Sequence, residues 1–330
     1  MTTATTDPHP FSQLSPDLIV EAVESTGRLS DLRVLALNSY ENRVYQVGIE
    51  GETPLIAKFY RPQRWSDEQI LEEHSFSQEL VAAELPVVAP LADADGRTLF
   101  RYQQFRFALF PRHGGHAPEL GDPDTLLSLG RLLARMHSIG ELRPFEFRPT
   151  LDVDSFGTRS YQWVAEHAIP ASLRPAYVTL AEDILALVRE RFAATPPRYL
   201  RGHGDCHMGN ILNRNDQFWF VDLDDSRMIP AMQDLWMMLS GASQEQTVQL
   251  SELLEGYNEF RDFDFAELNL IEPLRALRLL HFATWLAQRW EDPAFPGGFP
   301  WFGSERYWAD HILELREQFA ALQEPPLRLC

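Results

Sequence analysis

The spacing of apolar residues follows two different rules along this chain, and the change from one to the other restricts the fold more than any other feature. Up to about residue 110, aliphatic and aromatic residues come in short runs between turn signals, near 32 to 37, 43 to 49 and 54 to 60. Pro86 to Leu91 and Gln103 to Phe110 continue that pattern on either side of an Asp95-Gly96 hairpin turn. Two helices interrupt it. Residues 15 to 27 have Ser15 as cap, Pro16 in the first turn and Gly27 as stop, and a capping box between Ser66 and Gln69 opens a longer helix to about Ala83. From Pro111 to Pro118 the composition turns to Pro, Gly and His, which predicts a hinge. Beyond it, Leu126, Leu129, Leu133 and Met136 recur at helical spacing between Asp122-Pro123 and Gly140. Similar patterns fit 172 to 193, 233 to 240, 246 to 260, 266 to 290 and 304 to 322. Only 211 to 224 departs, where a polar turn from Asn213 to Asp216 predicts a small hairpin.

The two rules together predict an α+β protein of two lobes. A small β-rich N-terminal lobe with one long helix and a leading helix covers residues 1–112, and a larger, mainly helical C-terminal lobe covers 113–330. A length of 330 residues agrees with about two domains. A cleft between two such lobes is the default place for a ligand.

Composition narrows the partners. With 45% apolar residues the chain can bury a sizeable core, and a net charge of −19 repels nucleic-acid phosphate and acidic lipid headgroups. No run approaches a membrane span, and no Lys or Arg precedes Arg28, so a cytoplasmic monomer with neither a membrane nor a nucleic-acid partner is expected. Cys206 and Cys330 are too few for a disulfide scaffold, and the Thr-rich first six residues are the only low-complexity run.

The basic residues are more informative than their number. Of 29, all but Lys58 are arginine. A bias that replaced lysine wherever the two are equivalent leaves it where a compact, single-point ammonium is needed. Lys58 ends the apolar strand Leu55-Ile-Ala-Lys58-Phe59, and Glu73, in the helix that follows, is placed to pair with it, with Glu72 as the competing choice.

A second constellation lies in His203-Gly-Asp205-Cys206-His207-Met-Gly-Asn210, followed by the hairpin and Val221-Asp222-Leu-Asp224-Asp225. The hairpin folds Asp222 back toward Asp205 and Asn210, and three oxygen-bearing side chains suit magnesium, which binds one or two carboxylates together with substrate phosphates. Alternation along a strand puts Asp222 and Asp224 on one face and Asp225 on the other, with Asp222 the better ligand. His203, Cys206 and His207 could instead suggest zinc, but Gly202, Gly204 and Gly209 argue for a loop and no further Cys lies nearby. A strand lysine, a metal cluster and a carboxylate for the attacking hydroxyl are the parts that phosphoryl transfer requires.

The spacing His-x-Asp-x-x-x-x-Asn, then a hairpin and an Asp, resembles the catalytic segment of the protein-kinase-like superfamily in its aminoglycoside and choline phosphotransferase branch. Longer strings, LNSYENRVYQV, KFYRPQRW, LHFATWLAQRW and QEPPLRL, resemble a bacterial serine/threonine kinase family within it. The resemblance implies a bilobed protein-kinase-like fold, ATP as co-substrate, Mg²⁺ as cofactor and Ser or Thr of proteins as acceptor. It implies Asp205 as catalytic base, Asp222 as catalytic residue and metal ligand, and Asn210 as the second ligand. It also implies Lys58 as phosphate lysine, Ser39 in the loop over ATP, and the strap Phe107 to Pro111, with Phe110, against adenine. Asp234 is implied to accept hydrogen bonds from the catalytic-loop backbone.

This chain departs from eukaryotic protein kinases in a serine-bearing loop, Gly204 before Asp205, Asp222-Leu-Asp224, and no Ala-Pro-Glu. Activity independent of activation-loop phosphorylation is therefore expected. Two rival readings are a small-molecule kinase, which the −19 charge would suit through a cationic acceptor, and a nucleotide-binding regulator without catalysis.

Overall fold

In the computed structural model, which describes residues 10–329, the chain forms two compact units. The Thr-rich start and Cys330 lie outside the described residues. The first unit runs to His116 and also takes in Trp219–Asp224; the second holds Ala117–Phe218 and everything from Asp225 onward.

The first unit is a five-stranded antiparallel sheet with two helices. The strands are β1 (Ser30–Ala36), β2 (Arg43–Ile49), β3 (Leu55–Phe59), β4 (Phe100–Tyr102) and β5 (Phe105–Pro111), ordered β1-β2-β3-β5-β4. The helices are α1 (Pro16–Glu24) and α2 (Asp67–Ala82). Ser15 accepts from Leu18 N at 3.2 Å and Ser66 from Gln69 N at 3.2 Å, so both caps act as their side chains dictate. Ile19, Ala22 and Val23 of α1 share one core with Val47, Ala57, Phe59, Phe105 and Phe107 of the sheet. Burying that many aliphatic and aromatic side chains is the main source of the unit's stability.

Pro86 to Leu91 does not become a strand. Pro86 and Pro90 bring no N–H donors, and the segment keeps a single parallel bridge, Val87 to Phe220. Two hydrogen bonds frame it, Val88 N to Phe220 O and Phe220 N to Pro86 O, each 2.9 Å.

The second unit is helical around small two-stranded pieces. Its principal helices are α3 (Pro123–Gly140), α4 (Arg159–His167), α5 (Arg174–Ala194), α6 (Ala231–Trp236), α7 (Ser243–Asn258), α8 (Ile271–Gln288), α9 (Ala294–Gly298) and α10 (Glu305–Gln323). α3 packs on α7 and α5 on α10, burying Leu129, Leu133, Leu253, Ile184 and Leu315 completely. The helix expected over 266 to 290 is divided. Asp264 caps a 3₁₀ turn over Phe265–Leu270, and α8 starts at Ile271 with Pro273 in its first turn, where a missing N–H is tolerated. β6 (Leu200–Gly202) pairs antiparallel with β9 (Arg227–Ile229). The hairpin strands β7 (Ile211–Arg214) and β8 (Gln217–Phe220) turn through Asn215 and Asp216 at φ 54° and 59°, the left-handed pair that a two-residue hairpin needs. Among the described residues no helix is long and apolar enough to cross a membrane.

Candidate functional site

Candidate functional residues fall into two groups, one in each unit. In the first unit, β3 is the middle strand of the sheet, with Lys58 opposite Val44 on β2 and Ala108 on β5. A lysine there cannot snorkel to water and is only 7% exposed. Its ammonium lies 2.6 Å from Asp222 Oδ1 and 3.5 Å from Asp224 Oδ1, and above the Tyr60 ring at 5.7 Å. Burial by itself would push the Lys58 pKa down, but the charges of Asp222, Asp224 and Glu73 outweigh it and the net shift is upward, so the ammonium stays charged. Glu73 on α2 is buried and acts on Lys58 through its charge, whereas the direct ion pairs run to the two aspartates. Its neighbour Glu72 is half-exposed.

Asp222 and Asp224 do not share a strand face, contrary to the alternation expected from the sequence, because the strand has ended and a turn separates them. β8 ends at Phe220, Asp222 sits at φ 58°, and Leu223–Asp225 is a 3₁₀ turn. A left-handed aspartate is uncommon and marks a constrained turn. The consequence is a division of labour. The Asp222 side chain is 55% exposed, whereas that of Asp224 is 4% exposed and held by Lys58, by Asn42 Nδ2 at 3.1 Å and by Arg64 Nη1. Asn42 Oδ1 in turn accepts from Arg61 N at 3.0 Å. Asp224 is thereby committed to fixing the loop after β1, and Asp222 keeps oxygen surface for a ligand.

Ser39, in the turn between β1 and β2, uses its hydroxyl within that turn, accepting from Val44 N at 3.1 Å and donating to Leu37 O at 3.3 Å. Phe110 on β5 packs with Tyr60, Ile70 and Ala108 and meets His74 edge-on.

In the second unit, the segment after β6 is fastened from behind. Asp234, on α6 and fully buried, accepts from His203 N and Gly204 N, both at 2.8 Å, as the resemblance implied. His137 of α3 lies 3.2 Å from Asp234 Oδ2 and is itself bonded to Tyr257 of α7 at 3.0 Å. Gln233 Nε2 donates to Gly204 O at 3.2 Å. Gly204 has φ 82°, and a Cβ there would lie 2.3 Å from Asp225 O. This explains why the residue before Asp205 is not arginine: the position has neither the backbone conformation nor the room for a side chain.

Asp205 follows with its carboxylate partly exposed. Asn210 Nδ2 donates to Asp205 O at 2.9 Å, which closes the loop and leaves Asn210 Oδ1 for another partner. Asp205 Oδ1 accepts from Arg278 Nη1 of α8 at 2.5 Å, and Oδ2 lies 3.6 Å from His207 Nε2. His207 Nδ1 accepts from Gly209 N, capping the turn, and Cys206 is buried with its thiol pKa pushed up by that burial, which makes it unreactive. Two supports had no sequence signal beyond their residue type: the part-exposed Arg278, and the buried Glu267, which accepts from Met232 N at 2.8 Å at the start of α6.

Among the described residues no group of three or more His, Cys, Asp or Glu could hold a metal. In the first unit, the exposed carboxylate of Asp222 is of the kind that suits a hard cation taking most of its ligands from phosphate and water.

Comparisons with known proteins agree with this chemistry. A family model described as "Phosphotransferase enzyme family" matches residues 33–271. Stress response kinase A of Escherichia coli (strain K12) is 45% identical over 97% of this chain and 97% of its own length, and so is the serine/threonine protein kinase RdoA of Salmonella typhimurium. Among solved structures, the amicoumacin kinase hAmiN superposes with a TM-score of 0.75 at 16% identity, covering 94% of both chains. A microcompartment-associated aminopropanol kinase reaches 0.71 at 18% identity, covering 93% of this chain and 97% of its own. The solved structures carry the fold alone, a sheet-rich N-terminal part followed by a helical C-terminal part; the family match and the full-length relatives carry more, and by them this chain belongs to the phosphotransferase enzyme family.

Proposed function

We propose that the chain is an ATP- and magnesium-dependent serine/threonine protein kinase of the stress response kinase type, acting in the cytoplasm as a monomer. The observation that carries the reading is the single lysine of the chain, buried on the central strand with its ammonium 2.6 Å from Asp222. A buried cation facing an exposed carboxylate is the pairing that a metal-bound polyphosphate needs, since it supplies both signs of charge that such a ligand must meet.

In this reading Lys58 binds phosphate oxygens, with Glu73 and Asp224 keeping it charged. Ser39 and its turn cover the phosphates, and the strand around Phe110 offers backbone groups and an apolar face to adenine. Asp222 and Asn210 would hold magnesium, which supplies neutralisation of phosphate charge when bound. Asp205 orients the acceptor hydroxyl and accepts its proton; Asp234 fixes the loop that carries it. The serine/threonine specificity rests on the relatives named for it, which are 45% identical across nearly the whole chain.

A small-molecule kinase is the second reading, favoured by the net charge of −19 and by structural neighbours named as amicoumacin and aminopropanol kinases. Incubation with labelled ATP and magnesium, against protein acceptors and against amine-bearing small molecules in parallel, separates the two. Label on protein Ser or Thr supports the first reading, and label only on the small molecules replaces it with the second. Asp205→Asn should slow either transfer by about 10² to 10⁴, the contribution of a positioned general base. An Asp205→Asn protein with undiminished kcat would remove Asp205 from the mechanism.

A further inference from the structure

Asp205 shares its carboxylate with a residue that the reaction as described does not use. Arg278 lies mid-way along α8, 73 positions downstream, and donates from Nη1 to Asp205 Oδ1. Its side chain is 35% exposed, and among the described residues the other donors of its guanidinium meet no acceptor. Arg275, one turn earlier on α8, differs: it is engaged by Glu272 and by Gln246. A guanidinium carries five N–H donors in a planar fork that fits two oxygens of a carboxylate or phosphate at once. With one donor spent on Asp205, the fork keeps an open edge beside the oxygen that is to receive the acceptor hydroxyl.

The contact also blocks. The Oδ1 lone pair facing Arg278 cannot accept from a hydroxyl at the same time, and Oδ2 lies 3.6 Å from His207. An anionic group arriving beside the acceptor hydroxyl gives the guanidinium a second partner and draws it from Oδ1. In a chain with 48 acidic and 29 basic residues, a half-committed, part-exposed cation at this point discriminates between acceptors by charge.

We propose that Arg278 is a specificity-determining residue that recognises an anionic side chain, carboxylate or phosphate, next to the Ser or Thr of the acceptor segment. The proposal rests on the protein-acceptor reading of the same site. Fluorescence anisotropy with short labelled peptides tests it, using Ala at the acceptor position and a flank of Asp, phosphoserine, Asn or Lys. The wild type is expected to bind the Asp and phosphoserine peptides at least about tenfold tighter than the Asn peptide, as a charge-assisted hydrogen bond dictates. Arg278→Gln should bring both down to the Asn level, and Arg278→Lys should restore part of the preference. A residue that only props Asp205 would leave the ranking of the peptides unchanged in both variants. A larger gain for phosphoserine than for Asp assigns the site to phosphate, and the reverse assigns it to carboxylate.

Equal binding of charged and neutral peptides, no binding of any, or a preference that survives Arg278→Gln would each overturn the proposal. The Ser versions of the peptides, with ATP and magnesium, keep the two readings apart. Charge-dependent binding without transfer would end the protein-kinase reading and keep the recognition; transfer indifferent to the flank would do the opposite.

Discussion

Replacing Gly204 with alanine perturbs the loop that carries Asp205 through its backbone alone. Two costs can be worked out. The φ of 82° puts an L-residue in the left-handed region, at about 1–2 kcal/mol. The new Cβ would then lie 2.3 Å from Asp225 O, and reaching ordinary contact at 3.4 Å requires a shift of 3.4 − 2.3 = 1.1 Å against backbone, at about 1–3 kcal/mol more. Gly96 provides the control. It has nearly the same φ, 81°, but a Cβ there would meet nothing within 4 Å. Urea unfolding of Gly204→Ala should therefore show a loss of about 2–5 kcal/mol, against about 1–2 for Gly96→Ala. In phosphoryl-transfer assays at saturating ATP, Gly204→Ala should lower kcat by about 10², because a displacement near 1 Å at a reacting group costs that much. Gly96→Ala should leave kcat unchanged. Equal destabilisation by the two variants, with kcat of Gly204→Ala within threefold of wild type, would refute the reasoning.

Other outcomes follow from the same geometry. Lys58→Arg keeps the charge but puts a planar, larger group into a buried slot, so kcat/KM for ATP should fall at least about tenfold; an equally active variant would show that a guanidinium serves there. Glu267 is pushed by burial from its ordinary 4.5 up to about 7, despite the Met232 N–H that it accepts. The folded protein therefore holds a proton that the unfolded chain releases between those values, and stability falls as pH rises through that window. Glu267→Gln cannot ionise and still accepts from Met232, so it should gain up to about 3 kcal/mol over wild type at pH 8 and nothing near pH 4, measured by denaturant unfolding at both. No arginine stands before Asp205 to pair with a phosphorylated loop, so phosphatase treatment of purified protein should leave transfer intact.

The sheet and most long helices were legible because their signals are local. Capping boxes, alternation and helical spacing all lie within a few residues of the element they specify. Elements that lacked such signals were missed. α4 follows a π-helical turn, Asp154–Thr158, and has no side-chain cap to announce its start. β6 and β9 have three residues each, too few for alternation to show, and β6 includes the buried Arg201, whose guanidinium donates to Ile139 O and Gly140 O. In the site, Lys58 stood out by being alone among arginines, and the Asp205, Asn210 and Asp222 spacing by its motif. Arg278 did not, since one arginine among 28 on a helix carries no mark until the fold sets it against Asp205. Asn42 and Arg64 lay inside recognisable strings but gained a role only through Asp224. The separation of Asp222 from Asp224 was not foreseen: alternation put them on one face, and periodicity cannot announce a left-handed turn.

The assignment of Trp219–Asp224 to the first unit has a practical meaning for anyone who wishes to take the protein apart. Expressing residues 1–116 alone would yield a truncation without the aspartates that pair directly with Lys58 and without the Phe220 strand that pairs with Val87, leaving Glu73 alone to offset a desolvated ammonium. Domain shuffling at a single crossover would fail for the same reason. Exchange of modules between paralogues would need three junctions, near 116, 218 and 224, and recombination that respects fewer should produce insoluble chimeras.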